Sequence, residues 1–186
     1  LSRTVRQDLM GKVQLRIDAS TTVRSWEETD LEGLVCQADN SKVRAGLRDR
    51  FPHPYTREDG SNFLSNIARM AEETLFAIVV DGEVAGGIGL DPLSGDREGV
   101  FELGYWLGEG FWGRGIMTRV VAAVTDYAFD KLEAQRVVAG FFPWNLGSRR
   151  VLEKCGFRHE GTHRQAIRKA GTWVDMECYA RIRGEA

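Results

Sequence analysis

The sequence predicts a single α/β domain built on a mixed, mostly antiparallel β-sheet. One observation is a hairpin signal: Asp81-Gly82 separates two short apolar runs, at 75–80 and 83–90, and both turn residues tolerate a positive φ. A second is the order of a strand, a glycine-rich loop, a helix and another buried strand over residues 100–142, which implies a parallel, right-handed crossover. The chain of 186 residues is long enough to bury one hydrophobic core without disulfides.

The first part of the chain is predicted to form one strand and three helices. Residues 21–26 include three β-branched side chains, at 21–23, and favour a strand. Residues 29–32 form a capping box, with Thr first and Glu last, and apolar residues then recur at helical spacing. A second helix over 43–51 ends at Pro52, because a proline disfavours the helical region in its predecessor. A third helix follows several possible caps in residues 56–61 and is marked by apolar residues at the same spacing over 63–71.

The second part of the chain alternates between strands and helices. After the hairpin, the predicted elements are a strand over 100–107, a glycine loop over 108–115, a helix over 116–130, a strand over 137–142, a helix over 146–155 and an antiparallel pair over 157–168 and 173–183. Gly156 is expected to end the helix over 146–155 in a left-handed conformation. The final pair of strands turns at Lys169-Ala170-Gly171.

Composition limits the classes of partner. Lys and Arg number 25 against 27 Asp and Glu, so the formal charge of -2 lacks the positive field that non-specific nucleic-acid or anionic-membrane binding requires. No apolar run approaches the roughly 20 residues of a membrane span, and three widely spaced cysteines without C-x-x-C suggest neither disulfides nor a zinc knuckle. We expect a cytoplasmic protein with a small-molecule or short-peptide partner and no metal, and we interpret residues 1–12 as a disordered or extraneous lead-in.

The glycine loop leads directly into a helix and carries Gly108, Gly110, Gly113 and Gly115. Its first six residues match G-x-G-x-x-G, the dinucleotide fingerprint, but the acidic residue that should end the next parallel strand is missing. A more general interpretation remains, in which the four glycines form one cradle of backbone N–H groups for a phosphate and Arg114 adds charge. The alternative is a tight turn that needs glycine for its dihedral angles alone.

A second literal match is His159-Glu160-Gly161-Thr162-His163, which fits the H-E-x-x-H signature of zinc hydrolases. That signature works on a helix, where the two imidazoles lie one turn apart. Here it follows a helix cap, contains a glycine and continues as a predicted strand. We therefore interpret His159 and His163 as surface residues and keep a zinc hydrolase as a remote alternative.

Two segments at the right separation resemble the coenzyme motifs of a known family. Residues 111–118, Phe-Trp-Gly-Arg-Gly-Ile-Met-Thr, resemble the pyrophosphate loop of the GNAT superfamily of acetyl-CoA-dependent N-acetyltransferases. Residues 145–157 resemble its second motif, in the N-x-x-S-x-x-x-L-E-K-x-G-F form of the RimJ/RimL-like branch, the ribosomal-protein-alanine N-acetyltransferases. Residues 51–56 and 102–105 also look like that branch, and the resemblance covers residues 21–182.

This resemblance implies a GNAT-like fold, with a central parallel pair of strands that splays apart and helices on both faces of the sheet. It also implies that acetyl-CoA is the cosubstrate, held at its pyrophosphate by backbone N–H groups and at its pantetheine amides by Asn145. Arg150 or Lys154 would reach the ribose phosphate, although both are equally expected as solvent-facing charges. The implied coenzyme-binding residues are Trp106, Leu107, Gly113, Arg114, Gly115, Ile116, Met117, Thr118, Asn145, Ser148, Arg150 and Lys154.

The resemblance also implies three catalytic residues for direct attack of an amine on the thioester, through a tetrahedral intermediate. Glu102 would act as base, directly or through water, unless it is an outward strand residue paired with a cation. The backbone N–H of Tyr105 would stabilise the oxyanion. Ser148 would donate a proton to the departing sulfur, unless it only satisfies backbone groups in the first helical turn. Cys155 is the weaker candidate for that proton.

The acceptor amine is the least determined part of the prediction. The branch favours a protein N-terminal α-amine of ribosomal type, whereas a small amine such as a polyamine or aminoglycoside uses the same framework. A non-catalytic module that senses acyl-CoA is a further alternative, and a homodimer is common in the branch. Six aromatic or imidazole side chains are candidates to line the amine pocket: Trp26, Phe51, His53, Tyr55, Trp144 and Trp173.

Overall fold

The computed structural model describes residues 13–69 and 74–185. The strands are β1 (Gln14–Arg16), β2 (Thr21–Ser25), β3 (Leu75–Val80), β4 (Glu83–Pro92), β5 (Val100–Leu107), β6 (Arg136–Phe141), β7 (Arg158–Lys169) and β8 (Thr172–Ile182). The helices are α1 (Leu31–Ala38), α2 (Ser41–Ala45), α3 (Arg57–Ile67), α4 (Ile116–Lys131) and α5 (Leu146–Lys154). All eight strands join one sheet in the order β1-β2-β3-β4-β5-β6-β8-β7. The predicted lead-in at 1–12 and the predicted end of the third helix at 70–71 lie outside the described residues.

The β3–β4 hairpin confirms the prediction from Asp81-Gly82. Val80 pairs with Glu83 across the turn, and Asp81 and Gly82 have φ angles of 52° and 85°. These left-handed conformations match the right-handed twist of the two strands, which is why this dipeptide is a strong hairpin signal. The hairpin places β3 inside the sheet, with Phe76 fully buried.

The connection from β5 through α4 to β6 is the predicted parallel crossover, and every other neighbouring pair of the described strands is antiparallel. The parallel pairing is short, because only residues 100–102 of β5 pair with residues 136–138 of β6. Both strands continue beyond these residues, β5 to Leu107 and β6 to Phe141. The two strands therefore splay apart, as the resemblance implied.

Helices cover both faces of the sheet. α4 and α5 pack on one face, where Val124, Leu152 and Phe157 belong to the main buried cluster. α1 and α3 pack on the other face, around Leu34 and Tyr55. No helix in the two described ranges is long and apolar enough to cross a membrane.

The predicted final pair of strands enters the sheet through β8, which lies between β6 and β7. Gly156 follows α5 with a φ of 79°, so it forms the left-handed helix end that the sequence predicted. The β7–β8 turn places Ala170 and Gly171 at φ angles of 47° and 82°. β7 forms one edge of the sheet, and most of its side chains are exposed.

Three details of the first part of the chain differ from the prediction. The short edge strand β1 was not predicted, although residues 13–17 alternate between apolar and polar side chains. The capping box forms two residues earlier than expected, between Glu27 and Asp30, ahead of a turn of 3-10 helix. The reason is tertiary: Arg24 on β2 holds both carboxylate oxygens of Asp30 at 2.7 Å.

The second helix is shorter and earlier than the predicted 43–51. α2 begins at Ser41, because the Asn40 side chain accepts hydrogen bonds from the N–H groups of Lys42 and Val43. It ends at Ala45, and the residues that follow are held by the β7–β8 turn instead of continuing the helix.

Candidate active site

Two clefts meet where β5 and β6 splay apart. The first, of about 650 Å³, opens toward α3 and the segment after α2. The second, of about 620 Å³, opens toward the start of α4 and the start of α5. Tyr105, Trp106, Asn145 and Ser148 line both clefts, so these residues mark the junction.

The backbone of β5 presents hydrogen-bonding groups to this junction. Gly108 N–H donates to the carbonyl of Ala85 at 2.8 Å, and Leu93 N–H donates to the carbonyl of Val100 at 2.9 Å. In an antiparallel pair every second residue forms its backbone hydrogen bonds with the same neighbouring strand. The backbone groups of the even-numbered residues of β5 therefore bond to β4. Tyr105 and Leu107 therefore direct their backbone groups toward β6, into the gap.

The turn before α4 has backbone geometry that the predicted cradle requires at two of its four glycines. Gly113 and Gly115 have φ angles of 75° and 69°, and Gly115 precedes the first residue of α4 without a side-chain cap. The N–H groups of the first helical turn thus face the second cleft. Gly108 and Gly110 do not share this geometry: Gly108 precedes a separate 3-10 turn, Gly110 lies within it, and neither has a positive φ.

The second cleft collects most of the predicted coenzyme-binding residues. Eleven of the twelve line it: Trp106, Leu107, Gly113, Gly115, Ile116, Met117, Thr118, Asn145, Ser148, Arg150 and Lys154. Arg114 is the exception: it does not line the cleft, although its guanidinium lies 5.7 Å from the ring centre of Phe111, which does. The structure adds Lys42, Trp112 and Trp144, which sequence reasoning did not place there.

Asn145 and Ser148 form the start of α5. The side-chain oxygen of Asn145 accepts a hydrogen bond of 3.1 Å from Ser148 N–H, so Asn145 is the helix N-cap. The phenol of Tyr105 donates to the Ser148 carbonyl at 3.4 Å. Burial raises the pKa of Tyr105 above its usual range, so this phenol stays neutral and acts as a donor. The Ser148 side chain is half-buried at the junction of the two clefts.

Glu102 on β5 lines the first cleft. Its Oε1 accepts a hydrogen bond of 2.6 Å from Nη2 of Arg48, and both side chains are 34% exposed. Glu102 therefore has a cationic partner and remains accessible from the cleft. Sequence reasoning missed Arg48, because a contact between residues 54 positions apart leaves no local pattern.

Comparison with known proteins identifies the family. The model of the acetyltransferase (GNAT) domain matches residues 21–158. The chain belongs to the GNAT family. A Bacillus subtilis protein provisionally named an N-acetyltransferase, YjcK, is 47% identical over 78 residues, which are 42% of this chain and 43% of that protein. Another from Bacillus subtilis, YdaF, provisionally named a ribosomal N-acetyltransferase, is 33% identical over 108 residues, 58% of each chain.

The stretches of this GNAT chain that match thus span about half the length of each of these two relatives. Among solved structures, RimL, a ribosomal L7/L12 alpha-N-protein acetyltransferase in complex with coenzyme A, superposes with a TM-score of 0.81. The match covers 91% of this chain and 98% of that one at 21% sequence identity. This likeness confirms the predicted GNAT fold.

The aromatic residues of the GNAT domain divide between the clefts. Trp26, Phe51 and Tyr55 line the first cleft. Trp144 lines the second cleft, with its ring stacked 4.8 Å from that of Phe142. The predicted His53 and Trp173 line neither cleft: His53 lies 3.5 Å from the Asp39 carboxylate, and Trp173 is 60% exposed.

The two remaining alternatives occupy other parts of the domain. His159, Glu160 and His163 lie on β7, which confirms a strand instead of the helix that the zinc signature needs, and His159 Nε2 contacts Glu177 Oε2 at 2.7 Å. Within the described ranges, no group of three or more His, Cys, Asp or Glu side chains is arranged to hold a metal ion. Cys155 donates to the Thr118 carbonyl at 3.2 Å, outside both clefts, and burial raises the pKa of its thiol.

Proposed function

We propose that this GNAT protein is an acetyl-CoA-dependent N-acetyltransferase that acts on the α-amine of a protein N-terminus. The observation that carries the proposal is the splay of β5 from β6, where a coenzyme cleft and an acceptor cleft meet at Tyr105 and Ser148. Acyl transfer needs two reactants in contact at one point, and two clefts that share a junction supply that arrangement.

The second cleft fits acetyl-CoA, which supplies the activated acetyl group as a thioester. The N–H groups at the start of α4 carry no side-chain cap among the described residues and favour an anion there. Lys42, Arg150 and Lys154 add positive charge to the same cleft. The outward backbone groups of Tyr105 and Leu107 are available to the pantetheine amides, and so is the amide nitrogen of Asn145, whose oxygen caps α5.

Three groups at the junction suit the reaction. Glu102 faces the acceptor cleft and removes a proton from the amine, directly or through water. The N–H of Tyr105 points into the gap and stabilises the negative charge that develops on the carbonyl oxygen. Ser148, at the shared end of both clefts, donates a proton to the departing sulfur.

The acceptor cleft suits an amine attached to a larger body. Glu102 and Asp91 place carboxylates at one end, and the rings of Phe51 and Trp106, 5.8 Å apart, form an apolar wall. A peptide N-terminus combines a cationic amine with side chains for such a wall. The fold shared with RimL, which is named for a ribosomal protein, supports this choice over a small polyamine or aminoglycoside.

An acceptor panel tests the proposal. Purified protein is mixed with acetyl-CoA and with peptides that begin with Ala or Ser, the same peptides blocked at the α-amine, spermidine and an aminoglycoside. Release of free thiol and the mass of the product are measured. We expect turnover with the free peptides and none with the blocked ones. Turnover with the small amines alone would establish the alternative acceptor, and tight coenzyme binding without any turnover would indicate a sensor.

A further inference from the structure

A short segment crosses the mouth of the acceptor cleft, residues 44–50, here called the strap. The β7–β8 turn holds it at three residues, Arg44, Leu47 and Asp49. Nζ of Lys169 donates to the carbonyl of Leu47 at 2.5 Å, and the N–H of Ala170 donates to the carboxylate of Asp49 at 2.7 Å. Lys169 and Asp49 also form an ion pair of 3.3 Å. The strap is thus held through the backbone carbonyl of the residue before Arg48 and through the side-chain carboxylate of the residue after it.

Arg48 extends from this fixed point to Glu102. Its Nη2 lies 2.6 Å from Oε1 of Glu102 and 3.7 Å from the sulfur of Met176 on β8. Met176 can lie flat on the sheet because Gly140 has no side chain, since a Cβ there would come within 2.8 Å of the sulfur. The guanidinium is therefore in contact with a carboxylate and with a well-packed thioether.

Glu102 needs such a partner for an electrostatic reason. Asp91 on β4 is its direct cross-strand neighbour, and like charges at opposed positions destabilise a sheet. Arg50 approaches Asp91 only to 3.9 Å and is 74% exposed, so it compensates little. Burial, and to a smaller extent nearby carboxylates that include Glu102, raise the pKa of the Cys178 thiol. Arg48 is thus the cation in direct hydrogen-bond contact with this carboxylate.

We propose that Arg48 is a positioning residue for the transfer reaction. It occupies Oε1 of Glu102 and leaves Oε2 to take the proton from the acceptor amine, so that the N–H bond breaks as the O–H bond forms. A glutamate side chain with three rotatable bonds loses conformational freedom in this contact before the amine arrives. The inference rests on the proposed role of Glu102 as base.

Steady-state kinetics on four variants test it, with acetyl-CoA and the peptide amine of highest turnover: Arg48→Gln, Arg48→Lys, Glu102→Gln and the double variant Arg48→Gln/Glu102→Gln. We expect Arg48→Gln to lower kcat about 10-fold while the KM for acetyl-CoA stays within about twofold. Arg48→Lys should recover part of the loss, because it keeps the charge but not the fork geometry. In the Glu102→Gln background, Arg48→Gln should cause no further loss, since residues that act as one unit are not additive.

Arg57→Gln is the matched control, because Arg57 also pairs with a glutamate, Glu32, but on the exposed surface of α3 and α1. It should leave kcat unchanged. Equal losses from Arg48→Gln in both backgrounds would show that Arg48 only supports the fold, and faster turnover would show that it competes with the amine; either overturns the inference. Thermal melting shows whether Arg48→Gln is folded. If it is not, the same comparison is made with Arg48→Lys, in the wild-type and in the Glu102→Gln background. Full activity of Glu102→Gln would instead refute the base assignment itself, whereas an impaired Glu102→Gln with a fully active Arg48→Gln refutes only the positioning role.

Discussion

The phenol of Tyr105 donates a hydrogen bond to the backbone carbonyl of Ser148 at 3.4 Å. This bond joins β5 to the first turn of α5 across the gap between the splayed strands. Burial keeps the phenol neutral by raising the pKa of Tyr105 above its usual range. The contact therefore fixes the distance between the proposed oxyanion donor and the proposed acid at any working pH.

Replacement of Tyr105 by Phe tests the value of that contact. We expect the free energy of unfolding to fall by about 1 kcal/mol, because one buried hydrogen bond is lost and the ring remains. We also expect kcat to fall severalfold, because the start of α5 gains freedom relative to β5. Denaturant unfolding and steady-state kinetics measure the two effects. A variant with unchanged stability and full activity would mean that packing alone sets the distance between β5 and the start of α5.

Ser148→Ala should lower kcat by about 10²-fold with unchanged affinity for acetyl-CoA. The helix cap survives this change, because Asn145 accepts from the backbone N–H of residue 148 and not from the hydroxyl. Asn145→Ala is the comparison: it removes the cap and should cost about 1 kcal/mol of stability. Calorimetry of coenzyme binding and turnover separate the two residues. Equal kcat for Ser148→Ala and the wild type would remove Ser148 from the mechanism.

Gly115→Ala should weaken acetyl-CoA binding about 10-fold with little effect on kcat at saturation. Gly115 has a φ of 69°, and a Cβ there would come within 3.2 Å of Nη1 of Arg119, so the turn that aims the N–H groups must change. Gly82→Ala imposes similar strain at a φ of 85° in the remote hairpin. It should lower the melting temperature without changing the dissociation constant. Equal dissociation constants for both variants would contradict the cradle.

Acid should weaken two carboxylate contacts, those of Asp49 on the strap and of Glu109 on the glycine loop. Arg44 and the N–H of Ala170 hold the pKa of Asp49 below its usual range, and Lys42 and Asn40 do the same for Glu109. Because these carboxyls bind protons more tightly in the unfolded chain, their contribution is complete above the unfolded-state pKa and is lost as the pH falls through the folded-state pKa.

We therefore expect a melting temperature that is level above about pH 5 and falls below about pH 4. Asp49→Asn should melt lower at neutral pH and lose less on acidification than the wild type. Scanning calorimetry across this range measures both. A pH dependence that is identical in the variant would show that Asp49 does not contribute through its charge.

Features that depend on a few adjacent residues were predicted correctly. Asp81-Gly82 formed its hairpin, Gly156 ended α5, and Gly113 and Gly115 adopted the positive φ of a turn into α4. Each of these conformations is decided by local steric limits on the backbone. The prediction of α2 was wrong in its bounds, because the contacts of the strap with the β7–β8 turn override the helical preference of residues 46–51.

The candidate site shows the same division. Of the twelve residues that the family resemblance implied for coenzyme binding, eleven line one cleft, because most of them lie in two local structures, a glycine turn and a helix start. Arg48 beside Glu102, Tyr105 beside Ser148 and Trp112, whose indole N–H donates to the Leu107 carbonyl at 2.7 Å, had no local signal. The first two pairs join elements distant in the chain, and the third depends on how the loop folds back.

The sequence by itself determined the fold class, the GNAT family resemblance and the residues that are available for chemistry, since these follow from backbone preferences and motif order. Only the tertiary structure decided that Glu102 has Arg48 as its partner, that the two clefts share Ser148, and that Arg114 does not line the second cleft. The physical reason is that side-chain partners depend on how packed elements converge, and that convergence is set by burial of the whole core rather than by any short segment.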